Sequence, residues 1–199
     1  MTKVMIFGNQ EPHSIAIRQS LLARNVPLVL YPTKKNEKMV LTDAQWEKVI
    51  QGDPNDLGKI LQGMIGCDLV CLSGVQDSRV TWRIMEAMKL LGLRRLICLI
   101  EPADISRLSG MFSDESGLQK QRLSRQMELS VGLIEESECD YTFLYLPNSF
   151  PKCSQTPNPQ ANKKTRFSET DQQVAELIAQ IVEEPAFLIN RRLYISSEE

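Results

Sequence analysis

The sequence predicts an α/β fold, a doubly wound parallel sheet with helices on both faces, and three observations support it. First, the apolar run Val4 to Phe7 meets Gly8, and a helical pattern and a second apolar run, Pro27 to Tyr31, follow it. This β-α-β order opens a doubly wound sheet. Second, apolar runs and helical patterns alternate along the rest of the chain. Third, runs such as Asp68 to Leu72 are apolar at nearly every position, which is typical of a strand covered on both faces.

The turn after the first strand is the first candidate for ligand binding, because a doubly wound sheet binds its ligand at the carboxyl ends of its strands. It reads G-N-Q-E-P-H-S, from Gly8 to Ser14. A dinucleotide fingerprint of the G-x-x-G-x-x-G type has three spaced glycines, and only Gly8 is present here. Glu11 adds a negative charge beside the phosphate position, and Pro12 lacks an N–H donor. The turn therefore predicts either a working but atypical cofactor site or a vestigial one.

The segment after Tyr31 bears on the choice of cofactor. It reads P-T-K-K-N-E-K, so two lysines and no acidic residue directly follow Thr33. At this place an acidic residue holds the ribose of NAD, whereas basic residues receive the 2′-phosphate of NADP. If a cofactor binds, this segment favours NADP(H) over NAD(H). The alternative is a solvated loop whose lysines aid solubility.

Capping and periodicity predict the next elements. Thr42 to Gln45 resembles a capping box and predicts a short helical turn around Trp46, before a third strand at Val49–Ile50. Asp56 to Met64 carries apolar residues at helical spacing, and Gly66 ends that helix.

The fourth strand, Asp68 to Leu72, runs into Ser73 and Gly74, and these small residues let a ligand lie across the strand end. A helix is predicted from Ser78 to Leu91, with Gly92 as its stop. The strand and helix together predict another β-α unit of the same sheet.

The rest of the chain repeats this alternation. Leu96 to Ile100 predicts the fifth strand, and Glu101 to Gly117 predicts a surface insertion with helical turns around Ile105 to Met111. The remaining predicted elements are, in order, a long helix at Leu118–Ser137, a strand at Asp140–Leu146 that ends at Pro147, a loop at Phe150–Lys164, a helix opened by the capping box Ser168 to Asp171, and a last strand within Phe187–Ile195.

Length and composition predict one domain over residues 1–199. With 42% hydrophobic residues the chain can bury one full-size core and is too short for two. The net charge of −2 gives no basic excess for nucleic-acid binding. No apolar stretch approaches the roughly 20 residues that span a bilayer, and no signal-peptide layout is present. We therefore expect a cytoplasmic protein without membrane contact, and the sequence leaves the oligomeric state open, a homodimer included.

Residue counts exclude several catalytic classes. His13 is the one histidine, so a catalytic triad and any metal site that needs two histidines are excluded. We interpret it as a solvated or capping residue of the turn. The five cysteines include no C-x-x-C pair, which argues against zinc and disulfide frameworks. A reactive thiol stays open at Cys139 or Cys153.

Several motifs occur in a specific order: V-M-I-F-G and L-L-A-R at the first crossover, Q-G-D-P at Gln51 to Pro54, C-D-L-V at Cys67 to Val70, L-G-L-R-R-L-I at Leu91 to Ile97, C-D-Y-T-F-L-Y-L-P at Cys139 to Pro147, and V-A-E-L-I at Val174. Their order resembles that of the atypical short-chain dehydrogenases, and more closely the NmrA-like and saccharopine-dehydrogenase-related NAD(P)H-binding proteins. The resemblance covers nearly the whole chain and implies a Rossmann-like fold with a nicotinamide dinucleotide as partner.

The resemblance also implies which residues bind the cofactor. They are Gly8, Asn9 and Gln10 at the pyrophosphate, Thr33 and Lys34 at the 2′-phosphate, Asp53 at the adenine, Leu72, Ser73 and Gly74 over the adenosine half, and Pro147 with Asn148 beside the nicotinamide. Glu11 and Ser14 depart from the family's glycine pattern.

Ordinary short-chain dehydrogenases use a tyrosine and a lysine four residues on, because the ammonium group lowers the pKa of the phenol. Tyr31 and Lys35 have this spacing but lie on the adenosine side, so we interpret them as a coincidence. The helix predicted at Leu118–Ser137, where the pair belongs, has no tyrosine. Members of the NmrA-like group often lack the pair, and some act as redox sensors or reductases.

Two functions remain open. The first is an NAD(P)H-dependent oxidoreductase-like protein that binds its cofactor over Gly8 and reduces a small-molecule or quinone-like substrate without a Tyr-x-x-x-Lys pair. The second is a non-catalytic relative that acts as a redox sensor or a protein-interaction module. A different nucleotide or an anion at the same turn is also open, since helix N-termini accept anions.

Overall fold

The computed structural model describes residues 2–8, 12–33, 41–74, 77–100, 115–146 and 167–195, with only the backbone described over 115–124. The predicted turns around 105–111 and the predicted loop at 150–164 lie outside these ranges. The described residues form, in chain order, β1 (Val4–Phe7), α1 (Pro12–Ala23), β2 (Leu28–Tyr31), β3 (Glu47–Val49), α2 (Leu57–Met64), β4 (Leu69–Leu72), α3 (Ser78–Leu91), β5 (Arg95–Ile100), α4 (Glu115–Glu135), β6 (Asp140–Tyr145), α5 (Glu169–Glu183) and β7 (Arg191–Tyr194).

One parallel sheet contains all seven of these strands, in the order β3-β2-β1-β4-β5-β6-β7. β1 lies inside the sheet, where Phe7 pairs with Tyr31 on β2 and with Leu72 on β4. β2 and β3 extend the sheet on one side of β1, and β4 to β7 extend it on the other side. This confirms the predicted doubly wound α/β fold.

The strands inside the sheet contribute to two cores, because successive side chains point to opposite faces of a sheet. On one face, Ile17 of α1 and Ile178 of α5 pack in the same cluster as Ile6 of β1. On the other face, Met5 of β1 shares a cluster with Ile84 of α3 and with residues of α2 and α4. The four side chains of β1 are all fully buried, as expected of a strand covered on both sides.

The predicted helix ends of α3 and α5 are confirmed. The Asp77 side chain accepts the N–H of Arg79 at 2.9 Å at the start of α3, and Gly92 ends that helix in the left-handed region, at φ +67°. At the start of α5, Ser168 and Asp171 accept each other's backbone N–H, both at 3.1 Å. This is the predicted capping box.

The capping box predicted at Thr42 to Gln45 is wrong. The N–H of Thr42 donates to the carboxylate of Glu47 at 2.7 Å, and it is Asp43 whose side chain accepts the N–H of Gln45. The predicted helical turn around Trp46 is nevertheless present, because the N–H groups of Trp46 and Glu47 donate to the carbonyl oxygen of Asp43 at 3.2 and 3.0 Å. This turn leads directly into β3. Strand β3 therefore begins at Glu47, two residues before the predicted start.

Candidate functional site

Gly8 directly follows β1 and adopts a φ of +82°, which favours glycine over residues with a side chain. Its N–H donates to the carbonyl oxygen of Tyr31 at 2.9 Å. A Cβ placed on Gly8 would lie 2.5 Å from Oγ of Ser73 and 3.7 Å from Cγ2 of Thr33. Both the backbone conformation and the close approach to β4 therefore require glycine here.

The end of β4 forms the other side of this crevice. The backbone N–H and the Oγ of Ser73 both donate to the carbonyl oxygen of Phe7, at 3.1 and 3.2 Å. Leu72 is fully buried and pairs with Phe7 across the sheet. Gly74 is half-buried, and a Cβ placed there would meet no atom within 4 Å. Space beside the strand end therefore begins at Gly74.

His13, the second residue of α1, reaches the same place. It is 5% exposed, and its Nε2 lies 2.8 Å from the carbonyl oxygen of Ser73. Because a carbonyl oxygen only accepts, Nε2 carries the proton. The interpretation of His13 as solvated is wrong. Helix α1 begins at Pro12, since proline suits the first helical position, and this puts His13 within the buried first turn of the helix.

The structure thus brings together several residues that the sequence predicted to bind a cofactor. Gly8, Thr33 and the segment Leu72, Ser73 and Gly74 meet at the carboxyl ends of β1, β2 and β4. The other predicted residues of this region, Asn9, Gln10, Lys34 and Pro147, lie outside the described residues.

Asp53 lies at the same edge of the sheet, where it contacts its own turn and Tyr31 of β2. Its carboxylate accepts the backbone N–H two residues on at 2.9 Å, and its carbonyl oxygen accepts the hydroxyl of Tyr31 at 2.9 Å. The Tyr31 ring is fully buried and stacks on Phe7, with ring centroids 4.7 Å apart. Burial, followed by the carboxylates of Asp56 and Asp53, raises the pKa of Tyr31 to about 12. This phenol is therefore no acid near neutral pH, which supports reading its lysine spacing as a coincidence.

A buried ion pair between α1 and the start of β3, at the opposite end of these strands from Gly8, has no signal in the sequence. Arg18 of α1 donates through Nε and Nη2 to both carboxylate oxygens of Glu47, the second at 2.7 Å. Glu47 also accepts the N–H of Thr42 at 2.7 Å and that of Asp43 at 3.0 Å. Burial by itself raises the pKa of Glu47, but Arg18 and the two backbone donors outweigh it and hold that pKa below its ordinary value. The pair ties α1 to the chain that enters β3.

The described cysteines are not activated. Burial raises the pKa of Cys67 to about 11 and that of Cys71 to about 12, and it also raises the pKa of Cys98 and Cys139. Because the thiolate is the reactive form, these four thiols are poor nucleophiles. Cys153 lies outside the described residues. Within the described ranges, no cluster of three or more His, Cys, Asp or Glu could hold a metal ion, and no helix is long and apolar enough to cross a membrane.

The start of α1 fits an anionic group. The first N–H groups of a helix have no partner within it, and the helix dipole places partial positive charge there. No acidic side chain lies in the first turn of α1. Ser14, the third residue of α1, is fully buried, and its hydroxyl has no hydrogen-bond partner among the described residues. Together with the open space at Gly74, these residues fit the pyrophosphate of a dinucleotide.

The sheet order and this site define the class of protein. The strand order reverses between β1 and β4, and doubly wound sheets bind ligands in the crevice at that switch point. The crevice here lies between Gly8, the start of α1 and the end of β4. The chain is therefore an α/β protein of the doubly wound, nucleotide-binding class.

The chain belongs to the NAD(P)H-binding family, whose model matches residues 15–185. The match begins one residue after Ser14, so β1 and the turn that follows it precede the matched range. No curated protein matches the sequence.

Solved structures share the fold over nearly the whole chain. A Rossmann-fold NAD(P)-binding family protein from Shigella flexneri is 20% identical, with a TM-score of 0.69 over 99% of this chain and 94% of that one. A short-chain dehydrogenase/reductase of Veillonella parvula in complex with NADP is 18% identical, with a TM-score of 0.69 over 98% and 94%. An anaerobilin reductase from Escherichia coli O157:H7 is 18% identical, with a TM-score of 0.67 over 100% and 99%. At these identities the likeness shows the Rossmann fold.

Proposed function

We propose that this chain binds NAD(P)H across Gly8 and uses it in an oxidoreductase-like reaction, as a member of the atypical, NmrA-like short-chain dehydrogenases. The observation that carries the proposal is the approach of Gly8 to Ser73, which leaves no room for a Cβ at the switch point of the sheet. In the glycine fingerprint, the first glycine makes the tight turn from the strand to the helix that holds the pyrophosphate. The N–H of Gly8 is already bonded to Tyr31, and the start of α1 is a helix N-terminus, which favours phosphate groups.

NADP(H) is the favoured cofactor in this proposal. Thr33 lies beside Gly8, and Lys34 and Lys35 follow it in the sequence, where a 2′-phosphate would need positive charge. The NADP complex of the Veillonella parvula protein supports the same choice.

When bound, the cofactor supplies a hydride, and the protein's part is to hold the nicotinamide beside a small-molecule or quinone-like substrate. The anaerobilin reductase among the similar structures supports a reductase. Helix α4 contains no tyrosine, so a Tyr-x-x-x-Lys pair is not part of the proposal. The alternative is a non-catalytic redox sensor or interaction module, and the side chains that replace two glycines of the turn favour it.

We expect NADPH to raise the thermal stability of the protein. At about a hundredfold excess over Kd, binding stabilises the folded state by about 2.7 kcal/mol. Thermal unfolding with NADPH, NADP⁺, NADH and NAD⁺ measures this, and NADPH should give the largest shift. Mass spectrometry of gently purified protein should detect a retained dinucleotide. No shift with any of the four nucleotides would contradict the proposal, and a shift without NADPH oxidation in the presence of quinones would favour the sensor.

We also propose a homodimer, formed by the groove between α3 and α4. Trp82 and Leu129 are 48% and 49% exposed there. Both line a cavity of 430 Å³, and Trp82 and Leu133 also line an adjoining cavity of 740 Å³. Basic residues outnumber acidic ones on α3, where Glu86 pairs with Arg83, and acidic residues outnumber Arg125 over residues 125–138, the described side chains of α4 and its following turn. The residues concerned are Arg79, Arg83 and Lys89 on the one side and Glu128, Glu136 and Glu138 on the other.

Leu129→Glu should therefore convert a dimer into a monomer. The substitution places a carboxylate in the apolar centre of the groove, where it would be desolvated in the dimer. The matched control is Leu90→Glu, because Leu90 is 63% exposed and lines neither of these cavities. Light scattering after size-exclusion chromatography measures the mass. A monomeric wild-type protein, or a dimer that survives Leu129→Glu, would contradict the homodimer.

A further inference from the structure

The hydroxyl of Ser14 is an unexplained polar group in the first turn of α1. Ser14 is fully buried, and its Oγ has no hydrogen-bond partner within the described part of the chain. A buried hydroxyl that lacks a partner lowers stability, so native proteins keep few of them without a reason. The other unpartnered buried side-chain atom of the described residues, Nε of Arg95, belongs to a guanidinium whose remaining nitrogens are hydrogen-bonded.

The position of Ser14 on the helix shows where its side chain points. Ser14 lies three and seven residues before Ile17 and Leu21, so the three share one face of α1. Ile17 and Leu21 are fully buried in the cluster that includes Ile6 of β1. Helical side chains lean toward the N-terminus of their own helix. The Ser14 side chain therefore leans toward the start of α1, on the face that packs against the sheet.

His13 fixes the position of this helix start. Its bond to the carbonyl oxygen of Ser73 spans 2.8 Å and joins the first turn of α1 to the end of β4. Ser73 is in turn bonded to Phe7, and Gly8 approaches Ser73 as closely as the backbone permits. The start of α1, the end of β1 and the end of β4 are thus held together, with the Ser14 hydroxyl in the first turn of the helix.

We propose that Ser14 is a phosphate-binding residue, whose hydroxyl donates a hydrogen bond to the pyrophosphate of the dinucleotide. This inference rests on the proposed function. In the glycine fingerprint, the third glycine serves close packing of helix and strand, and Ser14 stands in its place. Ser14 contributes a side-chain donor instead, which adds to the amides at the same helix end. The missing partner of Oγ is then the ligand itself.

The test is Ser14→Ala, studied with and without ligand. Without ligand, the variant should unfold at the same temperature as the wild type or a higher one, because a buried unpartnered hydroxyl has been removed. With NADPH, its Kd should rise about tenfold or more, since a hydrogen bond to a charged group is lost. Inorganic pyrophosphate, used as a competitor, should lose affinity by a similar factor.

Ser130→Ala is the matched control. Ser130 is also fully buried, but its Oγ donates to the carbonyl oxygen of Gln126 at 2.9 Å on α4. Its loss should lower the unfolding temperature and leave the Kd for NADPH unchanged. The two serines are therefore expected to give opposite patterns.

The outcomes separate this inference from the function on which it rests. If the wild type binds none of the nicotinamide nucleotides, the proposed function fails and this inference fails with it. If the wild type binds NADPH and Ser14→Ala binds it equally well, only the role of Ser14 is overturned. A Ser14→Ala variant that is destabilised without ligand, or that keeps its affinity for pyrophosphate while losing NADPH, also overturns it.

Discussion

Replacing Gly8 with alanine should abolish NAD(P)H binding and lower the free energy of unfolding by roughly 2–4 kcal/mol. Two effects add. The φ of +82° is strained for any residue with a Cβ, and the new methyl group would lie 2.5 Å from Oγ of Ser73. Ser73 is buried and bonded to Phe7, so it cannot yield without losing that bond. Chemical denaturation measures the stability, and titration with NADPH measures the binding.

Gly92→Ala is the control for the backbone effect alone. Gly92 has a φ of +67°, but a Cβ placed there meets no atom within 4 Å. Its replacement should cost about 1 kcal/mol and leave cofactor binding intact. Adding Ser73→Ala to Gly8→Ala should recover part of the stability, because it removes the oxygen that the methyl group meets. If Gly8→Ala lowered the free energy of unfolding no more than Gly92→Ala does, the close approach of β1 and β4 would have no energetic consequence.

Glu47→Gln should lower the free energy of unfolding by about 3–5 kcal/mol, because it leaves Arg18 buried without its anion. Arg18 and Glu47 are 9% and 5% exposed. Replacing both residues, as Arg18→Met with Glu47→Leu, should recover much of the loss, since no charge is then left buried. The control is Glu176→Gln, which removes one of the two carboxylates paired with Arg24, in a pair whose side chains are 31% and 69% exposed. That change should cost less than about 1 kcal/mol.

The same ion pair predicts a specific dependence on pH. The pKa of Glu47 in the folded protein lies below its ordinary value of 4.5, so the carboxylate contributes its full stability above pH 4.5. This contribution is lost as the pH falls through the lowered pKa of the folded state. Denaturation measured from neutral pH down to acid should show the loss in the wild type and a flatter curve in Glu47→Gln. Parallel curves for the two proteins would contradict the assignment.

Much of the fold could be predicted because its signals are local. Asp77, Gly92 and Ser168 each act within a few residues of themselves, and capping chemistry can be recognised in a short segment. The sequence also predicted the apolar strands, and most of the predicted strand ends lie within one or two residues of the ends in the structure. The start of β3 was misplaced because Glu47 and Lys48 are charged and no apolar pattern marks them as strand residues, although they pair with Leu28 and Val29 of β2.

The candidate site was only partly predictable. Gly8 could be predicted as a site residue because it directly follows an apolar run. Ser73 could be predicted because it and Gly74 are small residues that follow a second apolar run. The roles of His13 and Arg18 depend on partners that are 60 and 29 residues away in the chain, and no spacing rule connects such residues. The missing partner of Ser14 is likewise a property of the packed helix. A sequence pattern identifies the turn, whereas packing determines which of its side chains face the ligand.

The central place of β1 has a consequence for the protein during its synthesis. Among the strands that the structure describes, β1 is synthesised first, yet its second edge pairs only once β4 is synthesised, since Val4 pairs with Leu69. Until then, a wholly apolar strand keeps an open edge that other nascent chains can join. Pairing between such distant segments is slow. The interval between translation of β1 and of β4 is therefore when this protein is most exposed to aggregation.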